Sequence, residues 1–154
     1  MAIIAPATPY GYTIFCDDLR QEANGKLIYI GVYTADMIIY GAPPMLLPTF
    51  VAAITYRERP GESDAPVKIK MFLPGHDDAA AELDLPVAPM RSAQFTHETA
   101  GEDRMHSVLI PIRASPLTVS QGGLIKIRAY RGEDEIRLGA LEVKFQAPPG
   151  NPPT

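Results

Sequence analysis

The chain has no tryptophan, a single cysteine and three histidines. No apolar run approaches the roughly 18–20 residues of a membrane helix, so no membrane association is expected. One cysteine excludes an intrachain disulfide and any Cys-x-x-Cys pair, which fits a reducing compartment. Basic residues are not in excess: Lys and Arg number 14 against 18 Asp and Glu, for a net charge of −4. Nucleic-acid binding needs a basic face, and none is expected here. Gly-x-Ser-x-Gly is absent, and neither Gly31 nor Gly122-Gly123 fits a phosphate loop. No catalytic set and no cofactor are expected. The N-terminal Met-Ala-Ile-Ile-Ala-Pro has no basic region ahead of a long apolar run, so no secretory signal is expected. The expected location is the cytoplasm, or a virion if the protein is phage-derived.

Proline is what the chain has in plenty, 16 in 154 residues. Average usage of about 5% would give roughly half as many. Proline is hostile to helix interiors and central strands, and at home in turns and at sheet edges. A chain of this length buries roughly 68–70% of its unfolded surface, enough for a core without metal or disulfide. Val67, Ile69, Met71 and Leu73 alternate with Lys68 and Lys70, the mark of a half-buried strand. Phe50, Ala52, Ile54 and Tyr56 alternate likewise, as do His106, Val108, Ile110 and Ile112. Residues 79–85 read as a strand, although Ala-Ala-Ala-Glu-Leu is equally good helix sequence. The last hairpin spans residues 124–131 and 135–145, and its phase slips at Ala140-Leu141, which predicts a bulge near Gly139. The expected fold is all-β: an antiparallel β-sandwich of about eight or nine short strands, immunoglobulin-like or a related Greek key. One domain is expected over residues 1–146, followed by a flexible Pro-rich tail over 147–154.

The densest chemistry lies in residues 12–33, where two apolar arms flank Asn24-Gly25. Asn-Gly between such arms predicts a hairpin, because both residues tolerate positive φ. A two-residue turn pairs Leu19 with Ile30, Arg20 with Tyr29 and Asp17 with Val32. Phe15, Asp17, Leu19, Ile28, Ile30 and Val32 then share an inward face. Cys16, Asp18, Arg20, Tyr29 and Tyr33 share the other, which becomes the candidate binding surface. A three-residue loop with Gly25 as a bulge shifts the register by one and regroups both faces. The first register is preferred because it gathers the aliphatic residues on one side. It separates Asp17 from Asp18, so the two acids are not expected to act as a dyad. Asp17 becomes an inward structural acid that must find donors, expected from backbone at a bulge or sheet end. Asp18 is expected to pair with Arg20, and Arg20 to lie over Tyr29.

The block Phe15-Cys16-Asp17-Asp18-Leu19-Arg20, then Gly25-Lys26 and Ile30-Gly31-Val32-Tyr33, resembles an uncharacterised family of small bacterial and phage-associated proteins. The resemblance covers about the first fifth of the chain. It implies a domain type and a bacterial origin, and brings no activity or catalytic residues with it.

Three other groups invite a functional reading. His97-Glu98, Glu102-Asp103 and His106 are metal-capable residue types, but their spacing matches no zinc or calcium motif, and no metal is expected. His76-Asp77-Asp78 after Pro74-Gly75 reads as a turn. Tyr29, Tyr33, Tyr40 and Tyr56 gather on or near one sheet face, a composition suited to a protein interface unless residues 86–103 cover it. The expected function is therefore non-enzymatic: protein interaction or assembly, through a protein partner or self-association. The alternatives are an enzyme acting on a small ligand or using a metal around Asp17, Asp18 and Arg20, and a phage-derived structural protein.

Overall fold

The computed structural model describes residues 7–59, 61, 64–85, 97–98 and 105–150, with the backbone alone for 97–98. Among these residues there are strands and no helix: β1 (Tyr10–Cys16), β2 (Asp18–Gln21), β3 (Leu27–Ile30), β4 (Asp36–Tyr40), β5 (Met45–Leu47), β6 (Phe50–Glu58), β7 (Val67–Phe72), β8 (Ala81–Leu85), β9 (His97–Glu98), β10 (His106–Ala114), β11 (Leu117–Val119), β12 (Gly123–Arg131) and β13 (Asp134–Gln146). The protein is an all-β sandwich. One sheet runs β1-β6-β10-β9 and the other β4-β13-β12-β7-β8, with β2–β3 and β11–β5 as separate short pairs. The pairing is antiparallel except between β4 and β13, which run parallel. There are more strands than the eight or nine expected. β5 forms in a proline-flanked stretch with no apolar period, and Asp17 divides the first arm into β1 and β2. Residues 147–150 carry no strand, and 151–154 lie outside the described residues.

The alternating residues form the core. Phe50, Ala52, Ile54 and Tyr56 of β6 pack with Val67, Ile69 and Met71 of β7 and with Ile125, Ile127 and Ala129 of β12. Phe50 stacks on Phe15 of β1, ring centroids 6.1 Å apart. Each large apolar side chain buried this way stabilises the fold by about 1.5–3 kcal/mol. The other face of β6 is also covered. Val51 and Ala53 form a second apolar cluster with Cys16 and Leu19, flanked by Ile14, Leu27, Tyr29 and Leu109. The β2–β3 hairpin therefore lies over the outer side of the first sheet, and β6 reads as a continuous apolar run because it is buried on both faces.

The bulge expected near Gly139 is present. Ile127 pairs with Gly139 but Arg128 with Arg137, so Leu138 is the extra residue. The phase slip lets buried Leu138 and buried Leu141 and Val143 all face the core. Gly139 has φ +144°, and a Cβ there would meet Thr13 Cβ at 3.2 Å. The Thr13 hydroxyl donates to the Leu138 carbonyl at 2.9 Å, fastening β1 to the bulge.

The first hairpin takes the other register. Asp18 pairs with Ile30, Leu19 with Tyr29 and Arg20 with Ile28. The Gly25 N–H donates to Glu22 O at 2.9 Å, and the Glu22 N–H to Lys26 O at 2.8 Å. Gly25 has φ +86°. This is the three-residue loop closed by a glycine bulge. The one-residue shift exchanges the faces of β3 relative to β2. Leu19 and Tyr29 now point inward together, and Ile28, Ile30 and Val32 are exposed. The preferred register failed because sorting aliphatic residues to one side assumes that the hairpin hides all of them, and it does not.

Candidate functional site

The structure draws a third residue, Arg113 of β10, to the Asp18–Arg20 pair. Arg20 Nε donates to Asp18 Oδ2 at 2.9 Å, and Arg113 Nη1 donates to Asp18 Oδ1 at 2.8 Å. Arg113 Nη2 also donates to the Leu19 carbonyl. One guanidinium thus grips both the side chain and the backbone of β2 and ties the hairpin to the sheet beneath. The Arg20 bond, then the Arg113 bond, hold the Asp18 carboxyl down from the ordinary 3.8 to about 2. A depressed carboxylate contributes stability above its unfolded pKa and loses it as pH falls through the folded one. Between about pH 4 and 2 the clamp should therefore release. Melting curves should show Asp18→Asn less stable than wild type at pH 6, with the gap closing by pH 2. The gap should also shrink in salt, because these groups are open to solvent.

Asp17 is half-buried in the bend between β1 and β2. The Tyr33 hydroxyl donates to Asp17 Oδ1 at 2.5 Å. Burial, with the Asp17 bond second, pushes the Tyr33 phenol up. The backbone approaches closely here: Gly31 has φ +65°, and a Cβ would fall 2.1 Å from Asp17 Oδ2. The donor is thus a tyrosine side chain and not the backbone that was expected. Asp17→Ala leaves that hydroxyl unpaired and partly buried, at a cost of about 1–3 kcal/mol. Thermal melting should show a drop of several degrees, and Tyr33→Phe with Asp17→Ala should recover part of it. An unchanged melting temperature in Asp17→Ala would show that this bond is not structural.

The five residues expected to form one surface do not. Asp18 and Arg20 lie outward. Cys16 is buried in the cluster beneath the hairpin, with Tyr29 packed against that cluster, and Tyr33 packs against the main core. Burial, then the charges of Asp17 and Asp18, push the Cys16 thiol up, the reverse of an activated nucleophile. Arg20 lies opposite Ile28, not over Tyr29. The tyrosines do not gather either: Tyr56 is buried in the main core and Tyr40 is exposed.

A second polar constellation escaped the sequence reading. The inward rows of three strands end on polar residues at one end of the inter-sheet space: Glu58 on β6, His106 on β10 and Arg131 on β12. His106 pairs across the ladder with Glu58. Arg131 Nη1 reaches Glu58 Oε2 from the other sheet at 3.6 Å, both side chains being 11% exposed. The Tyr56 hydroxyl donates to the same Glu58 oxygen at 3.2 Å. The signal was available: the alternation of β10 begins at His106, and extending those of β6 and β12 by one step lands on Glu58 and Arg131.

Among the described residues no three His, Cys, Asp or Glu side chains converge on a metal-sized point. Glu102 and Asp103 of the metal-capable group lie outside the described residues. His76, Asp77 and Asp78 follow the Pro74-Gly75 turn without entering a strand. No protein-family model, curated protein or solved structure matches this chain.

Proposed function

We propose that this protein is a non-enzymatic module that works through protein contacts, and that the outer face of the β2–β3 hairpin is its contact surface. The observation that carries the reading is the exposure of Ile28, Ile30 and Val32, at 42, 38 and 47%, beside Arg20 and Arg113. Contiguous exposed aliphatics edged by arginine are characteristic of protein interfaces. Two guanidiniums share one carboxylate here, so the patch is locally positive on a chain of net charge −4. Charge complementarity therefore favours a partner with an apolar centre and an acidic rim. The resemblance of the first block adds to the proposal a bacterial or phage-associated origin and no activity. An enzyme using Asp17, Asp18 and Arg20 finds less support, since Tyr33 already engages Asp17 while Arg20 and Arg113 engage Asp18.

The test compares wild type with Ile28→Asp/Ile30→Asp, after melting curves show that both are folded. Light scattering on a sizing column and affinity capture from bacterial lysate should reveal an assembly or partner that wild type holds and the variant loses. A wild type that stays monomeric, and captures nothing the variant does not, overturns the proposal.

A further inference from the structure

We propose that the outer face of the β12-β7-β8 sheet binds a neutral saccharide, with one pyranose ring lying against Tyr130. Tyr130, Lys68 and Asp84 form one row across three strands. Tyr130 pairs with Lys68 in the β12–β7 ladder, and Lys68 pairs with Asp84 in the β7–β8 ladder. Residues paired directly across a ladder present their side chains on the same face. Beside this row Lys70 pairs with Glu82. Tyr130, Lys68, Lys70 and Asp84 wall a depression of ≈ 330 Å³, completed by Pro66, Val67 and Gly132. That volume falls within the range of small-ligand sites, which begins at about 300 Å³. Gly132 sits in the turn between β12 and β13. A Cβ there would meet nothing within 4 Å, so that side is open.

Charge and hydrogen bonding select the ligand. Lys70 Nζ lies 2.6 Å from Glu82 Oε1, and Lys68 Nζ lies 3.3 Å from Asp84 Oδ1 and 3.9 Å from Glu82 Oε2. These ammonium and carboxylate groups cancel in charge, so neither an anion nor a cation is favoured. An ammonium carries several N–H donors and a carboxylate several acceptor sites, so both kinds remain free beside the ion pairs. A ligand that uses adjacent donors and acceptors without charge is a polyol, since each hydroxyl both donates and accepts. The rest of the lining is largely apolar: the Tyr130 ring, Pro66 and Val67. Lys70 Nζ stands 5.6 Å from the Tyr130 ring centroid, so polar groups and ring adjoin. A pyranose meets both demands, with C–H groups on its face and hydroxyls around its edge. Exposed ion pairs add little to stability, so the fold does not depend on this row.

The test follows backbone amide signals of the isotope-labelled full chain by NMR. The probes are the methyl pyranosides of glucose, galactose, mannose and N-acetylglucosamine. Glycerol, sodium acetate and tetramethylammonium chloride serve as controls. The expected result is a saturable shift of the Lys68, Tyr130 and Gly132 amides with at least one pyranoside, with Ile28 and Ile30 of the β2–β3 hairpin unmoved. Glycerol has hydroxyls but no apolar face, and should give no saturable shift. Half-saturation should stay constant from about pH 6 to pH 8, where lysines and carboxylates keep their charges. Tyr130→Ala should abolish the shift. Asp84→Asn, on the exposed strand β8, should weaken binding at least ~10-fold through loss of a charged acceptor. If Tyr130→Ala does not fold, Asp84→Asn decides alone. No saturable shift with any of the pyranosides, equal shifts with glycerol, tighter binding of acetate or tetramethylammonium, or an affinity unchanged in Asp84→Asn would each overturn the assignment.

Discussion

Arg131→Met should lower stability by about 3–5 kcal/mol, the usual consequence of removing one partner from a buried ion pair. For a domain of this size that is a fall in melting temperature of about 10 °C or more. The reason is the carboxylate left behind. Glu58 is only 8% exposed, and among the described residues Arg131 reaches it from the opposite sheet. Without the guanidinium, this carboxylate loses the cation that reaches it from the opposite sheet. The pH dependence identifies the cause. A buried carboxylate that loses a cationic neighbour has its pKa raised, so protonation relieves it, and the deficit should be smaller at pH 4.5 than at pH 7. The double replacement Glu58→Leu/Arg131→Met should be less damaging than Arg131→Met alone, because a charge-free pair leaves nothing to compensate. A single variant that melts with wild type at pH 7 would show that the pair is solvated in solution.

The second large effect separates the two hairpin registers. Leu19 is 4% exposed within the cluster under the hairpin. Leu19→Ala should cost about 2–5 kcal/mol, as buried leucine truncations do. Ile28→Ala and Ile30→Ala should each stay within about 0.5 kcal/mol, as exposed substitutions do. Tyr29→Ala should fall between them, because its ring packs against the Cys16 cluster. In the alternative register Ile30 lies opposite Leu19 and faces inward, so Ile30→Ala would be costly and Tyr29→Ala mild. Urea titration of the four variants decides between the two patterns.

These cases show what could be read in advance and what could not. Where one sheet face is buried and the other wet, as at Val67–Phe72, alternation marks the strand and its inward side together. The slip at Ala140-Leu141 foretold the bulge at Gly139, because only an extra residue reconciles two apolar phases in one strand. The first hairpin was different. Asn24-Gly25 serves a two-residue turn and a three-residue loop equally well, and the apolar pattern pointed to the wrong one. Its inner face meets a second cluster that includes Val51 and Ala53, which the chain supplies much later. Arg113 joins Asp18 from 95 positions away, and no local spacing carries that information. The Glu58–Arg131 pair was hidden for a related reason. Each residue looks like an ordinary charge at a strand end until the two sheets are stacked.

The Thr13–Leu138 bond joins residues 125 positions apart. It has a consequence for how the chain reaches this state. The closure entropy of so long a loop must be met before the contact returns anything. Domains dominated by such distant pairings fold in milliseconds to seconds, not microseconds. During synthesis β1 can pair with β6 well before the bulge that fastens it has been made. Until β13 has formed, β1 lacks this fastening, so β13 anchors β1 as well as being part of the other sheet.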